Sequence, residues 1–155
     1  MKGEKALGLL SRMLISGIFI GAGINKLRDR EGTQKYMESK GMPMIPTLMK
    51  GAVAMELGVA PAVTLGLLPR FSAPLLATFL IPTTLIFHNF WKLEGTERQM
   101  QMIEFMKNLA ILGGLLSVAL HDAEHASSRK SRLRKVESHL PGEERPGYLD
   151  ELEAA

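Results

Sequence analysis

The sequence predicts an all-α protein, a bundle of four transmembrane helices in up-down order followed by a polar C-terminal tail. Four apolar segments of about 20 residues each are long enough, as helices, to cross the hydrocarbon core of a bilayer. The third has no charged residue from Phe71 to Phe87, whereas a helix of a soluble bundle carries a charged face. The four predicted spans are about 7–27, 47–68, 71–91 and 102–120.

The first predicted span contains Gly17 and Gly21 at the GxxxG spacing that lets another helix approach closely. Although Lys2 and Lys5 precede this segment as they would in a signal peptide, three more apolar segments follow it, which favours a first membrane helix. The charged residues after this span and the Gly41-Met42-Pro43 turn signal predict a polar loop over 28–46.

The second predicted span has a small residue at every fourth position, and its proline lies near a carboxylate. Pro61 has no N–H group, so we expect the carbonyl of Leu57, next to Glu56, to lack its helical partner. The Pro69-Arg70 link is so short that spans two and three should form an antiparallel hairpin. The small residues of span two are Ala54, Gly58, Ala62 and Gly66.

The chain ends in a charged segment that follows the fourth span. We expect a four-helix membrane domain over 1–126 and, after partial helix, a largely disordered cytoplasmic tail over 127–155. The basic residues at 129–135 favour the cytoplasmic side and anionic lipid, and no nucleic-acid partner is expected. We therefore expect an integral protein of a bacterial-type plasma membrane with both termini in the cytoplasm.

Ionisable or strongly polar residues inside the apolar segments are the main indication of a site. Hydrocarbon does not solvate charge, so such residues are usually paired, hydrated or functional. With the N-terminus inside, Lys26 and His88 lie near the outer interface, and Glu56 and Lys107 share a depth roughly 8 Å further in. We expect polar groups from all four helices to converge there. The candidate site residues are Lys26, Glu56, His88, Lys107 and Asn108, and Arg12 is a separate charge near the inner face.

Two interpretations of this cluster stay open. The first is a structural ion pair that joins Glu56 to Lys107 or to Lys26 and fixes helix register. The second is a pocket for a polar head group or a proton carrier such as a quinone, with Glu56 as proton acceptor and His88 nearby.

Composition and motifs exclude several kinds of chemistry. The chain has no cysteine, which excludes disulfides, thiolate metal sites and iron–sulfur ligation by cysteine. His121 and His125 have a spacing that can hold a metal, but a solvated helix end is the favoured interpretation, so we predict no metal site. No haem or flavin signature and no self-sufficient catalytic motif is visible.

Several short motifs in order resemble the DoxX family of small four-helix membrane proteins. After Arg12 come Phe19–Leu27, Glu56-Leu57-Gly58, Gly66–Arg70 and Lys107–Gly114, so the resemblance extends over about 7–120. It implies a membrane subunit of a redox or oxidative-stress-linked complex, because relatives are associated with respiratory oxidoreductases such as thiosulfate–quinone systems.

The leading function is therefore a membrane subunit for which a quinone is the candidate ligand. One alternative is a small transporter that uses Glu56 and Lys107 as a coupled site. Another is a membrane anchor whose charged tail recruits a soluble partner. The partners to be expected are the lipid bilayer, subunits of a redox complex and a second copy of the chain.

Overall fold

A computed structural model describes residues 2–137, and all the regular structure in this part of the chain is helical. Four of its helices are long and apolar enough to cross a membrane, which confirms the predicted fold class. Of the tail predicted over 127–155, residues 127–137 are helical, and the rest of the tail, with its expected disorder, falls outside the described residues. The elements are α1 (Lys2–Arg28), α2 (Arg30–Ser39), α3 (Ile45–Leu65), α4 (Pro69–Phe87), a short 3-10 turn (Phe90–Lys92) and α5 (Gly95–Glu137).

The chain divides into two compact units, Met1–Ala119 and Leu120–Ala155. The first contains α1 to α4 and most of the apolar part of α5. Of the second, the structure describes the helical end of α5, up to Glu137.

Within the segment predicted as a polar loop over 28–46, residues 30–39 form the helix α2, which corrects the sequence interpretation. Asp29 caps its N-terminus, since its Oδ1 accepts a hydrogen bond of 3.0 Å from the amide of Gly32. Further along this helix Met37 is buried, and the ring of Tyr36 stacks on that of Phe87 with centroids 5.4 Å apart. Tertiary packing therefore stabilises a segment that is too short and too polar to form a helix by itself.

The helix α5 also begins earlier than predicted, at Gly95 instead of about 102. Gly95 has a positive φ of 58°, a conformation that glycine adopts readily, and it marks the turn from the 3-10 segment into the helix. The charged residues that follow are good helix formers, so the first two turns of α5 are polar and precede the apolar part.

A π-helical turn, Met55–Val59, interrupts α3 just before Pro61. The amide of Ala60 bonds to the carbonyl of Met55, five residues back, instead of the usual four. Because Pro61 has no N–H group to donate to the carbonyl of Leu57, one helical hydrogen bond is missing here whether the turn is α-helical or π-helical. The wider turn contains Glu56, whose position is therefore linked to the irregular backbone.

Gly66 ends α3 three residues before the predicted limit. Its φ of 64° lies in the left-handed region, and the amide of Leu67 bonds to the carbonyl of Ala62 at 2.8 Å. This is a common way of terminating a helix at glycine. The short link to α4 follows, and α3 packs beside α4.

The core of the first unit is narrow and consists of small and aliphatic side chains. Leu76 of α4 and Leu115 of α5 are fully buried against Phe19, Ala60 and Val63. In the four spans, 11% to 33% of the most apolar window is buried inside the chain, so most of the apolar surface faces outward. A water-soluble protein does not expose so much contiguous apolar surface, whereas a bilayer covers it.

Helix α1 approaches α3 closely at Gly23 and not at the GxxxG pair. A Cβ atom at Gly23 would lie 2.7 Å from Leu57 Cγ and 2.9 Å from Glu56 Cβ, both on α3. At Gly17 and Gly21 no atom lies within 4 Å of such a Cβ, because these glycines are on the outer face of α1. Gly23 is thus the residue that allows α1 to reach the π turn.

Substitution of Gly23 should destabilise the bundle, and Gly21 provides the matched control. Gly23→Ala is expected to lower the free energy of unfolding by about 1–3 kcal/mol, because the methyl group overlaps side-chain atoms close to the α3 backbone. Gly21→Ala, two residues away on the same helix, should be neutral or slightly stabilising. Thermal unfolding in detergent measures both variants, and equal midpoints would contradict the assigned contact.

Candidate functional site

One stripe of α1 carries the polar residues that face the other helices. Ser16 is fully buried, donates a hydrogen bond of 2.5 Å to the carbonyl of Arg12, and is also hydrogen-bonded to the hydroxyl of Thr64 on α3. The guanidinium of Arg12 lies against Gly66, at the C-terminal end of α3, where helix carbonyls favour a cation. Arg12 is therefore remote along α1 from Lys26, as expected from the sequence.

Lys26 and Glu56 form an ion pair between α1 and α3. The Lys26 Nζ donates to Glu56 Oε1 at 2.7 Å. The Glu56 residue is only 3% exposed, whereas the Lys26 side chain is 23% exposed. Of the two partners that the sequence allowed for Glu56, the structure selects Lys26.

The second carboxylate oxygen of Glu56 has no hydrogen-bond partner among the described residues, although it is buried. A buried oxygen of this kind is costly, because a carboxylate loses strong bonds to water when it leaves solvent. Most such groups in folded proteins are satisfied by the chain or by a bound molecule. The Glu56 Oε2 atom is therefore a buried acceptor whose hydrogen bond is not made by the described residues.

Glu56 lines a cavity of about 450 Å³ that lies between α1, α2, α3 and α4. The size falls within the range of small-molecule sites, which are mostly apolar with a few placed polar groups. The polar residues around it are Asn25, Lys26, Asp29, Thr33, Tyr36, Glu56, Thr83 and His88, and the larger apolar ones are Met37, Met42, Phe79 and Phe87.

Tyr36 and His88 contribute a phenol and an imidazole to this cavity from different elements. Burial raises the pKa of the Tyr36 phenol, and the nearby charges of Glu97 and Glu104 raise it further, so the hydroxyl stays protonated at neutral pH. His88 follows the last turn of α4, and its Nδ1 lies 2.8 Å from Oε1 of Gln101 on α5.

Two candidate residues of α5 lie outside the cavity. Lys107 Nζ donates to Glu104 Oε1 at 2.6 Å on the exposed face of the helix. Asn108 turns inward, and its Nδ2 donates to Thr84 Oγ1 on α4 at 3.1 Å. Because adjacent residues of a helix point about 100° apart, Asn108 and Lys107 do not share a face. The expected convergence of polar groups thus involves α1, α3 and α4, and Lys107 is not part of it.

The residues that sequence reasoning missed come mainly from α2 and from the first turns of α5. Asp29, Thr33 and Tyr36 line the cavity because the supposed loop is a packed helix. An Asp three residues before Gly32, followed by the apolar Tyr36-Met37 pair, was the available signal of a capped helix with one apolar turn. Gln101 carries no such signal, since only the folded chain brings it to His88.

Fold and site together define a class, the four-span helical membrane proteins, here with a buried lysine–glutamate pair beside a cavity. The model of the DoxX family matches residues 7–89, and the chain belongs to this family. The Lys107–Gly114 motif of the resemblance lies beyond the matched part.

Two relatives from Escherichia coli strain K12 support this assignment. Inner membrane protein YphA is 35% identical over 112 residues, which are 72% of this chain and 80% of the relative. Inner membrane protein YqjF is 38% identical over 114 residues, or 72% and 81% of the two chains. No solved structure matches the chain.

Removal of the lysine alone should harm the fold more than removal of both charges. Lys26→Met leaves Glu56 buried without its cation and should lower the free energy of unfolding by about 3 kcal/mol. The double variant with Glu56→Gln should recover much of this loss, because no buried charge remains. Chemical denaturation in detergent of the wild type, both single variants and the double variant gives the coupling energy between Lys26 and Glu56.

Lys107→Met is the control, because its ion pair with Glu104 is exposed and should contribute less than about 1 kcal/mol. If Lys26→Met and Lys107→Met had equal effects, the distinction between a buried and an exposed pair would not hold.

Proposed function

We propose that the protein is a membrane subunit of a redox or oxidative-stress-linked complex, and that its cavity binds a quinone with Glu56 as proton acceptor. The observation that carries the proposal is the buried Glu56 Oε2, which has no partner among the described residues and belongs to a residue that lines the cavity. A ligand hydroxyl at this oxygen would supply the missing hydrogen bond.

The shape and lining of the cavity suit an aromatic ring with polar substituents. Phe79 and Phe87 offer apolar ring surfaces, against which an aromatic ligand packs favourably. Lys26, Tyr36 and His88 offer further hydrogen-bonding groups to its oxygens. A lipid-soluble quinone partitions into the bilayer that the four spans cross, which favours it over a water-soluble ring of similar size.

The subunit part of the proposal follows from the balance of protons and electrons. Oxidation of a hydroquinone releases two protons and two electrons, and in this proposal Glu56 accepts one proton and His88, which lines the same cavity, accepts the other. The chain has no cysteine and thus no thiol that could take the electrons. We therefore assign the electrons to an electron-accepting partner subunit.

The transporter alternative relied on coupling between Glu56 and Lys107. Because Lys107 bonds to Glu104 on the outer face of α5, that pair has no support from the geometry. The anchor alternative depends on the tail, most of which falls outside the described residues.

Extraction in mild detergent followed by mass spectrometry tests quinone binding. The wild-type protein should retain quinone, and Glu56→Gln should lower its occupancy about tenfold or more, because a hydrogen bond to a charged acceptor is lost. Glu104→Gln, which changes a carboxylate outside the cavity, should retain the wild-type amount.

Phe79→Ala is a second variant that distinguishes loss of quinone binding from misfolding, because it alters a cavity wall and leaves the Lys26–Glu56 pair intact. It too should lower occupancy. Wild-type protein without quinone, or full occupancy in a folded Glu56→Gln protein, would contradict the proposed function.

We also propose a plasma-membrane location with both termini in the cytoplasm, supported by the basic run at 129–135 and by the inner membrane proteins among the relatives. The absence of native cysteine makes single-cysteine labelling direct. Glu38→Cys should react with a membrane-impermeant maleimide in intact cells, and Ser128→Cys should react only after lysis. The reverse labelling pattern would show that both termini lie on the outer side of the membrane.

A further inference from the structure

We propose that the cavity selects the reduced form of its ligand, a hydroquinone, with Glu56 Oε2 and His88 Nε2 as the acceptors of its two hydroxyl hydrogens. This inference rests on the proposed function and adds two points to it. It assigns His88 as a second ligand-binding group, and it assigns Gln101 as the positioning residue that fixes the tautomer of His88.

The contact between His88 and Gln101 determines which imidazole nitrogen is an acceptor. His88 Nδ1 lies 2.8 Å from Gln101 Oε1, and an amide oxygen only accepts hydrogen bonds. Nδ1 must therefore carry the proton. In the neutral ring the other nitrogen, Nε2, then has a free lone pair. His88 lines the cavity and Gln101 does not, so Nε2 is the nitrogen left for a ligand.

Other groups around the cavity strengthen its acceptor character. The hydroxyl of Thr83 donates to the carbonyl of Phe79 at 2.8 Å, which leaves an oxygen lone pair. Asp29 adds a second carboxylate, whose Oδ1 already accepts from the amide of Gly32.

Donor groups also line the cavity, among them Asn25, Lys26 and Tyr36, and they suit either form of the ligand. Lys26 has N–H groups beyond the one that bonds Glu56, and the Tyr36 hydroxyl is protonated. A hydroquinone oxygen accepts from such donors while its own hydrogen is donated to an acceptor. A quinone oxygen only accepts, so Glu56 Oε2 and His88 Nε2 would stay unpaired and would face its lone pairs. The reduced form alone satisfies both kinds of group.

The test measures binding of both redox forms to the full chain in lipid nanodiscs. The probes are ubiquinone-0 and its hydroquinone, which have no isoprenoid tail and dissolve in water. Since the chain has no cysteine, the quinone cannot add to a thiol. Isothermal titration calorimetry under anaerobic conditions gives a Kd for each form. We expect the hydroquinone to bind about tenfold more tightly, which corresponds to the net value of about one unmade hydrogen bond.

Two substitutions of Gln101 test whether the tautomer of His88 controls this preference. Gln101→Met removes the acceptor and frees the ring to place its proton on either nitrogen, so the Kd ratio should fall towards one. Gln101→Lys places a donor beside Nδ1, which favours a proton on Nε2, so the preference should shift to the oxidised form. A merely structural role for Gln101 would weaken both forms alike and leave their ratio unchanged.

The outcomes separate this inference from the proposed function. Equal binding of the two forms by the wild-type protein, or a ratio that Gln101→Met does not alter, would overturn the selectivity and leave a quinone site in place. Failure of both forms to bind would overturn the quinone site and the selectivity together. A hydroquinone preference that falls in Gln101→Met and reverses in Gln101→Lys supports both.

Discussion

The position of Glu56 is the constraint on which the rest of the bundle depends. A carboxylate that is 3% exposed within an apolar helix needs a cation, and Lys26 of α1 supplies it at 2.7 Å. For Lys26 to reach it, α1 and α3 must come close, which the missing side chain of Gly23 permits. The π turn of α3 contains Glu56. The ion pair, the glycine and the irregular turn therefore form one structural unit.

This unit provides a hydrogen-bond partner for only one of the two carboxylate oxygens of Glu56, and the other oxygen is the basis of the proposed function. If the pair served only to fix helix register, both oxygens of Glu56 would be expected to have partners. Instead Oε2 has none among the described residues, and Glu56 borders a cavity that α2 helps to enclose. π-helical turns occur often at functional sites, and here the turn carries the residue with the unsatisfied atom.

Membership of the DoxX family identifies the class of protein but does not assign a reaction. The family model ends at residue 89, within the link before α5, and the cavity is lined entirely by residues before that point. Helix α5 contributes in another way, since Asn108 bonds to Thr84 and Gln101 bonds to His88. It therefore positions Thr84 and His88 without lining the cavity itself.

The sequence by itself determined the four spans, because length and all-round apolarity leave a helix in a bilayer as the stable solution. It also identified Lys26 and Glu56, since charge in hydrocarbon demands explanation. Only the tertiary structure decided that Lys26 and not Lys107 is the partner of Glu56, because both lie at suitable depths and the rotation of each helix settles the pairing. It likewise decided that 30–39 is helical, since that short segment depends on packing of Tyr36 and Met37 for its stability.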